Sequence, residues 1–360
     1  MWQVKPVSKS QQPLVVIYRP VDETGDSHRR LEAAGCRLVI VEPAENLATA
    51  LERAGRVDAI LAASLKNCRL DRSTIERMSD LRLIAKYTIG VDDVDVEAAT
   101  EHGVLVTHSP TEANFGGVAE GTIALMLALL KRLAARDRSV RDGGWRSDGL
   151  RGTYVGSRAD GYEGIVLGIV GFGRVGRRIA ELMAPWNIRM LAADPYVDAS
   201  VFARYGVAPI DLPDLLRRSD VVTLHCNLTT ETRGLIGADA IGLMRPGSLL
   251  INTARGAVVD VDAVRAALDA GRLGGAAFDV LPEEPPPPGA RILRTDDRVL
   301  LSPHMVAANV GGTLAAAIPW ATDAVLDALA GRVPANVYNE SALIAWRTRF
   351  EGLPIIASLS

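Results

Sequence analysis

The sequence predicts an α/β chain of two domains, each a parallel sheet with helices between its strands, and three observations carry that expectation. Short apolar runs recur with helical patterns between them, as buried parallel strands require. At 360 residues the chain exceeds one typical domain. The apolar run Ile165–Val170 leads straight into Gly171-Phe172-Gly173-Arg174-Val175-Gly176 and then Arg177–Met183, which reads as strand, tight turn and helix.

Taken in order, Leu14–Tyr18 and Arg37–Val41 read as buried strands separated by a polar helix near Arg29–Gly35, and strands recur at Ala59–Ala62, Leu83–Tyr87 and Val104–Thr107. After Pro110, Val118–Leu133 reads as a long apolar helix ended by basic residues, buried in a core or between subunits. Asp142–Gly164, rich in Gly, Arg and Ser, reads as a loop. Alternation resumes with strands at Ile165–Val170, Ile188–Ala193, Ala208–Ile210, Val221–Leu224, Ser248–Ile251, Gly275–Phe278 and Val299–Leu301, a doubly wound parallel sheet. The run Glu283-Glu284-Pro285-Pro286-Pro287-Pro288-Gly289 fits neither helix interior nor central strand and reads as a stiff surface connection. A last amphipathic helix, Thr313–Ala330, ends at Gly331.

A net charge of −3 offers no electrostatic footprint for nucleic acid or an anionic membrane, so small anions must be held by a few local cations. The three cysteines, Cys36, Cys68 and Cys226, are far apart and lack neighbouring histidines, which suits a reduced cytosol and argues against a metal site. Met1–Leu14 lacks the apolar core of a signal peptide, and Ile123–Leu130 is too short to cross a bilayer. The expectation is a cytoplasmic globular protein.

The glycine turn fits a dinucleotide. A pyrophosphate needs backbone N–H groups at close approach and the positive end of a helix, so glycines belong where side chains would obstruct it. Asp194 ends the following strand, 18 residues after Gly176, close to the spacing of about 20 expected for a carboxylate that takes the ribose hydroxyls. The next basic residue is Arg204, so a 2′-phosphate would face a negative charge, and NAD is favoured over NADP. The alternatives are a mere polar turn at Asp194-Pro195 and a methyl-transfer enzyme using S-adenosylmethionine.

Ligands of open parallel sheets sit beyond the carboxyl ends of the strands. There the second domain places Arg255, Asp279, Glu284 and His304. Dehydrogenation of a hydroxy acid moves a proton with the hydride, work that suits histidine. A neighbouring carboxylate, Glu284, favours the charged imidazolium. An arginine, Arg255, binds the substrate carboxylate and polarises the carbonyl. Singly, each has a plainer reading as a surface ion pair, a solvated glutamate or a turn cap. His28 and His102 fall in polar surface stretches. His225 ends a strand and ranks second to His304, because the loop from Cys226 onward packs on the nicotinamide. His108 is either a substrate contact or a core-edge histidine.

With these residues placed, the chain resembles the D-isomer-specific 2-hydroxyacid dehydrogenases over about residues 55 to 340. The likeness rests on Gly90-Val91-Asp92-Asp93-Val94-Asp95, Ala119-Glu120-Gly121-Thr122, the glycine turn, Asp194-Pro195-Tyr196, Leu228-Thr229-Thr230-Glu231-Thr232, Asn252-Thr253-Ala254-Arg255-Gly256, Asp279-Val280 with Glu284-Pro285, and Ser302-Pro303-His304. It implies two Rossmann-like domains: an NAD-binding domain over 117–305, and a smaller flavodoxin-like substrate domain over 14–116 and 306–342. Residues 343–360 are expected as a C-terminal tail.

Carried over residue by residue, the resemblance implies Arg255, Glu284 and His304 as catalytic residues. It implies Gly171, Gly173, Arg174, Val175, Gly176, Asp194, Cys226, Thr232, Thr253, Ala254, Asp279 and His304 at the cofactor. Thr88, Ile89, Gly90, His108 and Arg255 would meet the substrate. It also implies a homodimer through the cofactor domains, acting on a small 2-hydroxy or 2-keto acid.

Departures bear on the substrate. His108 stands where the family usually has Asn, Asn227 where many members have Pro, and Gly121 where His is common. Near Ala62-Ala63-Ser64, Ala63 replaces the arginine that the phosphoglycerate enzymes carry, which speaks against phosphoglycerate. NAD(H)-sensing corepressors and phosphite dehydrogenases resemble the same group and stand as alternatives; Glu284 speaks against formate oxidation.

Overall fold

The computed structural model describes residues 12–19, 21–42, 44–63, 65, 69–310 and 314–356. Ser64, Cys68, Thr313 and most of Met1–Leu14 lie outside the described residues. Two compact units emerge: one runs to Asn114 and resumes at Val310, and the other is Phe115–Asn309.

The first unit alternates β1 (Leu14–Tyr18), α1 (Asp26–Ala33), β2 (Arg37–Val41), α2 (Leu47–Ala54), β3 (Ala59–Ala62), α3 (Arg72–Glu76), β4 (Leu83–Lys86), α4 (Val96–Glu101) and β5 (Leu105–Thr107). All five strands are parallel in the order β2-β1-β3-β4-β5, the flavodoxin-like arrangement. Both faces of the sheet are covered: Leu14, Val16 and Tyr18 of β1 enter one core and Val15 and Ile17 the other. This explains why its strands are continuous apolar runs rather than alternating ones.

The second unit carries most of α5 (Glu112–Leu130), then α6 (Leu133–Arg141), β6 (Val166–Val170), α7 (Arg174–Met183), β7 (Arg189–Ala193), α8 (Ala199–Arg204), β8 (Ala208–Pro209), α9 (Leu212–Arg218), β9 (Val221–Leu224), α10 (Ala238–Leu243), β10 (Leu249–Asn252), α11 (Val261–Asp269), β11 (Gly275–Phe278) and β12 (Val299–Leu301). Its seven strands are parallel in the order β12-β11-β10-β9-β6-β7-β8. Counted from β6, this is the doubly wound dinucleotide-binding order with one strand added, and its switch point lies between β6 and β9. Asp198, Asp211 and Asp260 accept backbone N–H groups in the first turns of α8, α9 and α11, fixing where those helices start.

Three expectations need correction. The long apolar helix starts at Glu112, not Val118, and stops at Leu130, where Arg132 turns into the left-handed region with φ 54°. Its 19 residues reach the length and apolar composition of a membrane span, which the run Ile123–Leu130 did not, yet Ala119, Met126, Leu129 and Leu130 pack into the core of the second unit. Second, α6 was not foreseen; none of its residues is buried, so it has no apolar stripe to read. Third, the supposed tail folds. After α12 (Ile318–Leu329), α13 (Leu343–Phe350) seats Trp346 at 0% exposure in the core of the first unit, where its indole N–H donates to Arg82 O at 3.0 Å. Phe350 lies against the guanidinium groups of Arg82 and Arg349, 4.8 and 4.4 Å from the ring centroid.

Candidate active site

The three glycines after β6 each have a distinct steric reason. Gly171 turns at φ 89°, and a Cβ there would stand 2.5 Å from Cys226 N. A Cβ on Gly173 would meet nothing within 4 Å, so this side of the backbone is open to an approaching phosphate. A Cβ on Gly176 would stand 2.4 Å from Gly171 O, so this glycine lets α7 pack onto the turn. The N-terminus of α7 has no side-chain cap, which leaves its first N–H groups directed at the same space. Turn, open approach and close packing are what a dinucleotide pyrophosphate requires, so the residues fit the group.

Asp194, at the end of β7, accepts from Phe172 N at 2.8 Å through Oδ2 and from Tyr196 N at 3.1 Å through Oδ1. Its carboxylate is therefore tied to the glycine turn itself. On the other flank, at the end of β9, His225 N donates to Val170 O at 2.7 Å, and the His225 ring meets Thr223 Oγ1 at 2.8 Å through Nε2. Burial pushes His225 down to about 3 and the Cys226 thiol up to about 11, so both are neutral near pH 7. Thr232 Oγ1 donates to Asn227 O at 2.6 Å and accepts from Thr229 N, so its hydroxyl shapes the loop after β9.

The strand ends β10, β11 and β12 bring Arg255, Asp279, Glu284 and His304 into one frame. At β10 the Asn252 side chain is fully buried; it accepts from Ala254 N at 3.0 Å and donates to Arg255 O at 2.9 Å, closing a turn from which Arg255 projects. Arg255 is half-buried, and its Nη1 donates to Ala254 O at 2.7 Å. A Cβ on Gly256 would stand 2.0 Å from the carbonyl carbon of Leu281, so this segment lies directly on Leu281-Pro282. Leu281 N in turn donates to Glu284 Oε1 at 3.1 Å. Glu284 Oε2 lies 2.8 Å from His304 Nδ1, with side-chain exposures of 23% and 36%, so the pair is reachable from outside.

Asp279 holds the segment around His304. Its Oδ1 accepts from Met305 N at 2.9 Å and Val306 N at 3.1 Å, and its carbonyl accepts from His304 N at 2.8 Å. His304 itself sits at φ 57°, a left-handed conformation that a non-glycine residue holds only when its surroundings dictate it. Arg255, Asp279, Glu284 and His304, four residues picked out in the sequence, thus stand at the ends of three adjacent strands.

The candidates Thr88, Ile89, Gly90 and His108 lie in the first unit. Thr88 Oγ1 donates to Gly90 O at 2.8 Å, and His108 Nδ1 lies 3.2 Å from Ile89 O, so His108 is part of the turn 88–90. Its ring meets Tyr338 edge-on, with centroids 5.6 Å apart. Sequence reasoning missed what lies beneath: Lys86, fully buried, donates to Asp93 at 2.9 Å, and Asp93 accepts from Leu65 N at 2.6 Å. Burial holds the Lys86 ammonium below the usual lysine range, against the pull of Asp93. The available signal was a lysine inside an otherwise apolar strand.

Comparison with known proteins bears directly on this arrangement. The profile of the D-isomer specific 2-hydroxyacid dehydrogenase NAD binding domain matches residues 123–306. A glyoxylate reductase of Thermococcus litoralis is 33% identical over 300 residues, 81% of this chain and 87% of that protein. The chain belongs to the D-isomer specific 2-hydroxyacid dehydrogenase family. A D-3-phosphoglycerate dehydrogenase of Archaeoglobus fulgidus is 32% identical over 295 residues, 82% of this chain but 53% of that protein, so the chain spans about half the length of such curated relatives. Among solved structures, a D-lactate dehydrogenase of Aquifex aeolicus complexed with NAD and lactic acid aligns at TM-score 0.74 and 26% identity, covering 86% of this chain and 94% of that one. The second unit of this family member carries the NAD binding domain, which accounts for the glycine turn and for Asp194.

Proposed function

We propose that the protein interconverts a small D-2-hydroxy acid and its 2-keto acid using NAD, with His304 as general acid and base. The observation that carries this reading is the 2.8 Å bond between His304 Nδ1 and Glu284 Oε2 at the end of β12. With Nδ1 committed to the carboxylate, Nε2 is the ring atom that exchanges the proton with the substrate oxygen. The bound dinucleotide supplies or accepts the hydride at C2. On reduction, imidazolium Nε2–H protonates the carbonyl oxygen, while Arg255 holds the substrate carboxylate and steadies the negative charge that develops on that oxygen. Oxidation runs the same steps backward, with neutral His304 taking the hydroxyl proton. Asp279 supports this through Oδ1, which fixes the His304 segment, and the family resemblance implies its carboxylate at the cofactor.

Thr88, Ile89, Gly90 and His108 belong to the same proposal as substrate contacts, as do a homodimer through the cofactor domains and a cytoplasmic setting. Glyoxylate heads the substrate order, because a relative of nearly matching length is a glyoxylate reductase. Phosphohydroxypyruvate ranks low, since Ala63 is apolar and only 6% exposed. The test is NADH consumption, with NADPH in parallel, against glyoxylate, hydroxypyruvate, pyruvate, phenylpyruvate, 2-ketoglutarate and phosphohydroxypyruvate. A clear NADH-dependent rate with at least one small keto acid is expected. Silence across the panel, with NADH binding shown separately, overturns the reading.

A further inference from the structure

Deep in the second unit, Thr122 on α5 meets Thr253, the residue two before Arg255, with their hydroxyl oxygens 2.8 Å apart. Both are buried, at 2% and 7% exposure, and they are 131 residues apart in sequence. The direction of this bond follows from counting protons. Each hydroxyl has one. Thr122 donates its proton to Val118 O at 2.7 Å, one turn back along α5. Thr253 is therefore the donor in the pair, and the chain runs Thr253 to Thr122 to the Val118 carbonyl.

This matters because of where Thr253 stands. After Asn252, the last residue of β10, the segment Thr253–Arg255 has left the sheet, and the Asn252 amide closes the turn by bonding Ala254 N and Arg255 O. That clamp fixes the shape of the turn, whereas the Thr253 hydroxyl fixes where the turn lies against α5. We propose that Thr122 is a positioning residue for Arg255, acting through the Thr253 hydroxyl. The proposal rests on the reading of Arg255 as the substrate-binding arginine.

Removing the acceptor leaves a proton with nowhere to go. In Thr122→Val the Thr253 hydroxyl is buried without a partner, and the turn relieves this by moving. In Thr122→Val/Thr253→Val no orphan proton remains. The second substitution is thus expected to repair part of the damage done by the first, whereas independent structural losses would accumulate.

The experiment measures keto-acid kcat and KM, NADH affinity and thermal midpoint for Thr122→Val, Thr122→Ser, the double valine variant and Arg255→Ala. Thr122→Val is expected to lose on the order of tenfold in kcat/KM for the keto acid, the scale of one orphaned buried hydroxyl, with NADH affinity within about twofold. Thr122→Ser, which keeps the oxygen, is expected near wild type, and the double variant is expected to exceed Thr122→Val. A merely structural role would lower the thermal midpoint and leave the kinetics of the folded fraction untouched. Wild-type kcat/KM in Thr122→Val, alongside an inactive Arg255→Ala, overturns the proposal. A double variant worse than Thr122→Val at unchanged NADH affinity overturns the proton assignment and the proposal with it. An active Arg255→Ala instead overturns the reading of the arginine, and the proposal falls for that separate reason.

Discussion

Gly256→Ala tests whether Arg255, Glu284 and His304 are held as one frame. The added methyl would begin 2.0 Å from the Leu281 carbonyl carbon, 2.1 Å from its oxygen and 2.4 Å from Pro282 N. All three are backbone atoms, so no side chain can swing aside. To restore ordinary contact the Leu281-Pro282 segment must retreat by about 1.4 Å. Leu281 N–H now reaches Glu284 Oε1 at 3.1 Å, and a retreat of that size breaks the bond. Glu284 then no longer presents Oε2 to His304 Nδ1 at 2.8 Å. A misplacement of about 1 Å costs catalysis roughly 100-fold, and overpacking of this kind costs roughly 1–3 kcal/mol of stability. The assay is steady-state NADH oxidation with the best keto acid, together with thermal unfolding and NADH binding. Gly256→Ala/Glu284→Ala is expected to be no slower than the worse of its parents, because both act on the same histidine. A Gly256→Ala enzyme within threefold of wild type, or additive losses in the double variant, refutes the frame.

Two further outcomes follow from the second unit. Asp194→Asn removes the charge beside the glycine turn while keeping an amide oxygen for one of its N–H partners; NADH KM is expected to rise by about tenfold and the preference over NADPH to narrow, and an unchanged NADH/NADPH ratio would sink the cofactor argument. His225, held neutral by burial at about 3, binds its proton more weakly folded than unfolded, so its contribution to stability is complete above about pH 6.5 and is lost as pH falls toward 3. Urea midpoints of wild type and His225→Gln are expected to converge between pH 7 and 4.5, and a pH-independent difference contradicts this.

The strands were legible because each unit buries both faces of a parallel sheet, which writes its strands as unbroken apolar runs between turn residues. Residues Leu14–Tyr18, Arg37–Val41, Ala59–Ala62, Val221–Leu224, Gly275–Phe278 and Val299–Leu301 coincide with observed strands. The start of α5 was obscured by Gly116 and Gly117, whereas Gly121 already lay inside the expected helix. Gly117 and Gly121 permit close approach: a Cβ on Gly117 would stand 2.8 Å from the Asn309 side chain, and one on Gly121 would stand 2.6 Å from Val306 O. The helix α13 was hidden by its length of eight residues, although Leu343, Trp346 and Phe350 follow helical spacing.

At the site, Gly171, Asp194, Arg255, Asp279, Glu284 and His304 were readable because each sits at a strand end or in a short motif. The Thr122–Thr253 bond, the seat of Gly256 on Leu281 and the Lys86–Asp93 pair were not, since each joins residues through space with no periodic trace. Lys86 stands out as a lysine inside an otherwise apolar strand, but nothing in the sequence marks Asp93, seven residues on, as its partner.

The most direct test of the account is turnover by His304→Ala with the preferred keto acid at saturating NADH, with NADH affinity measured on the same preparation. The account predicts a loss of about 10²–10⁴-fold in kcat with NADH binding retained. Turnover near the wild-type rate would contradict it.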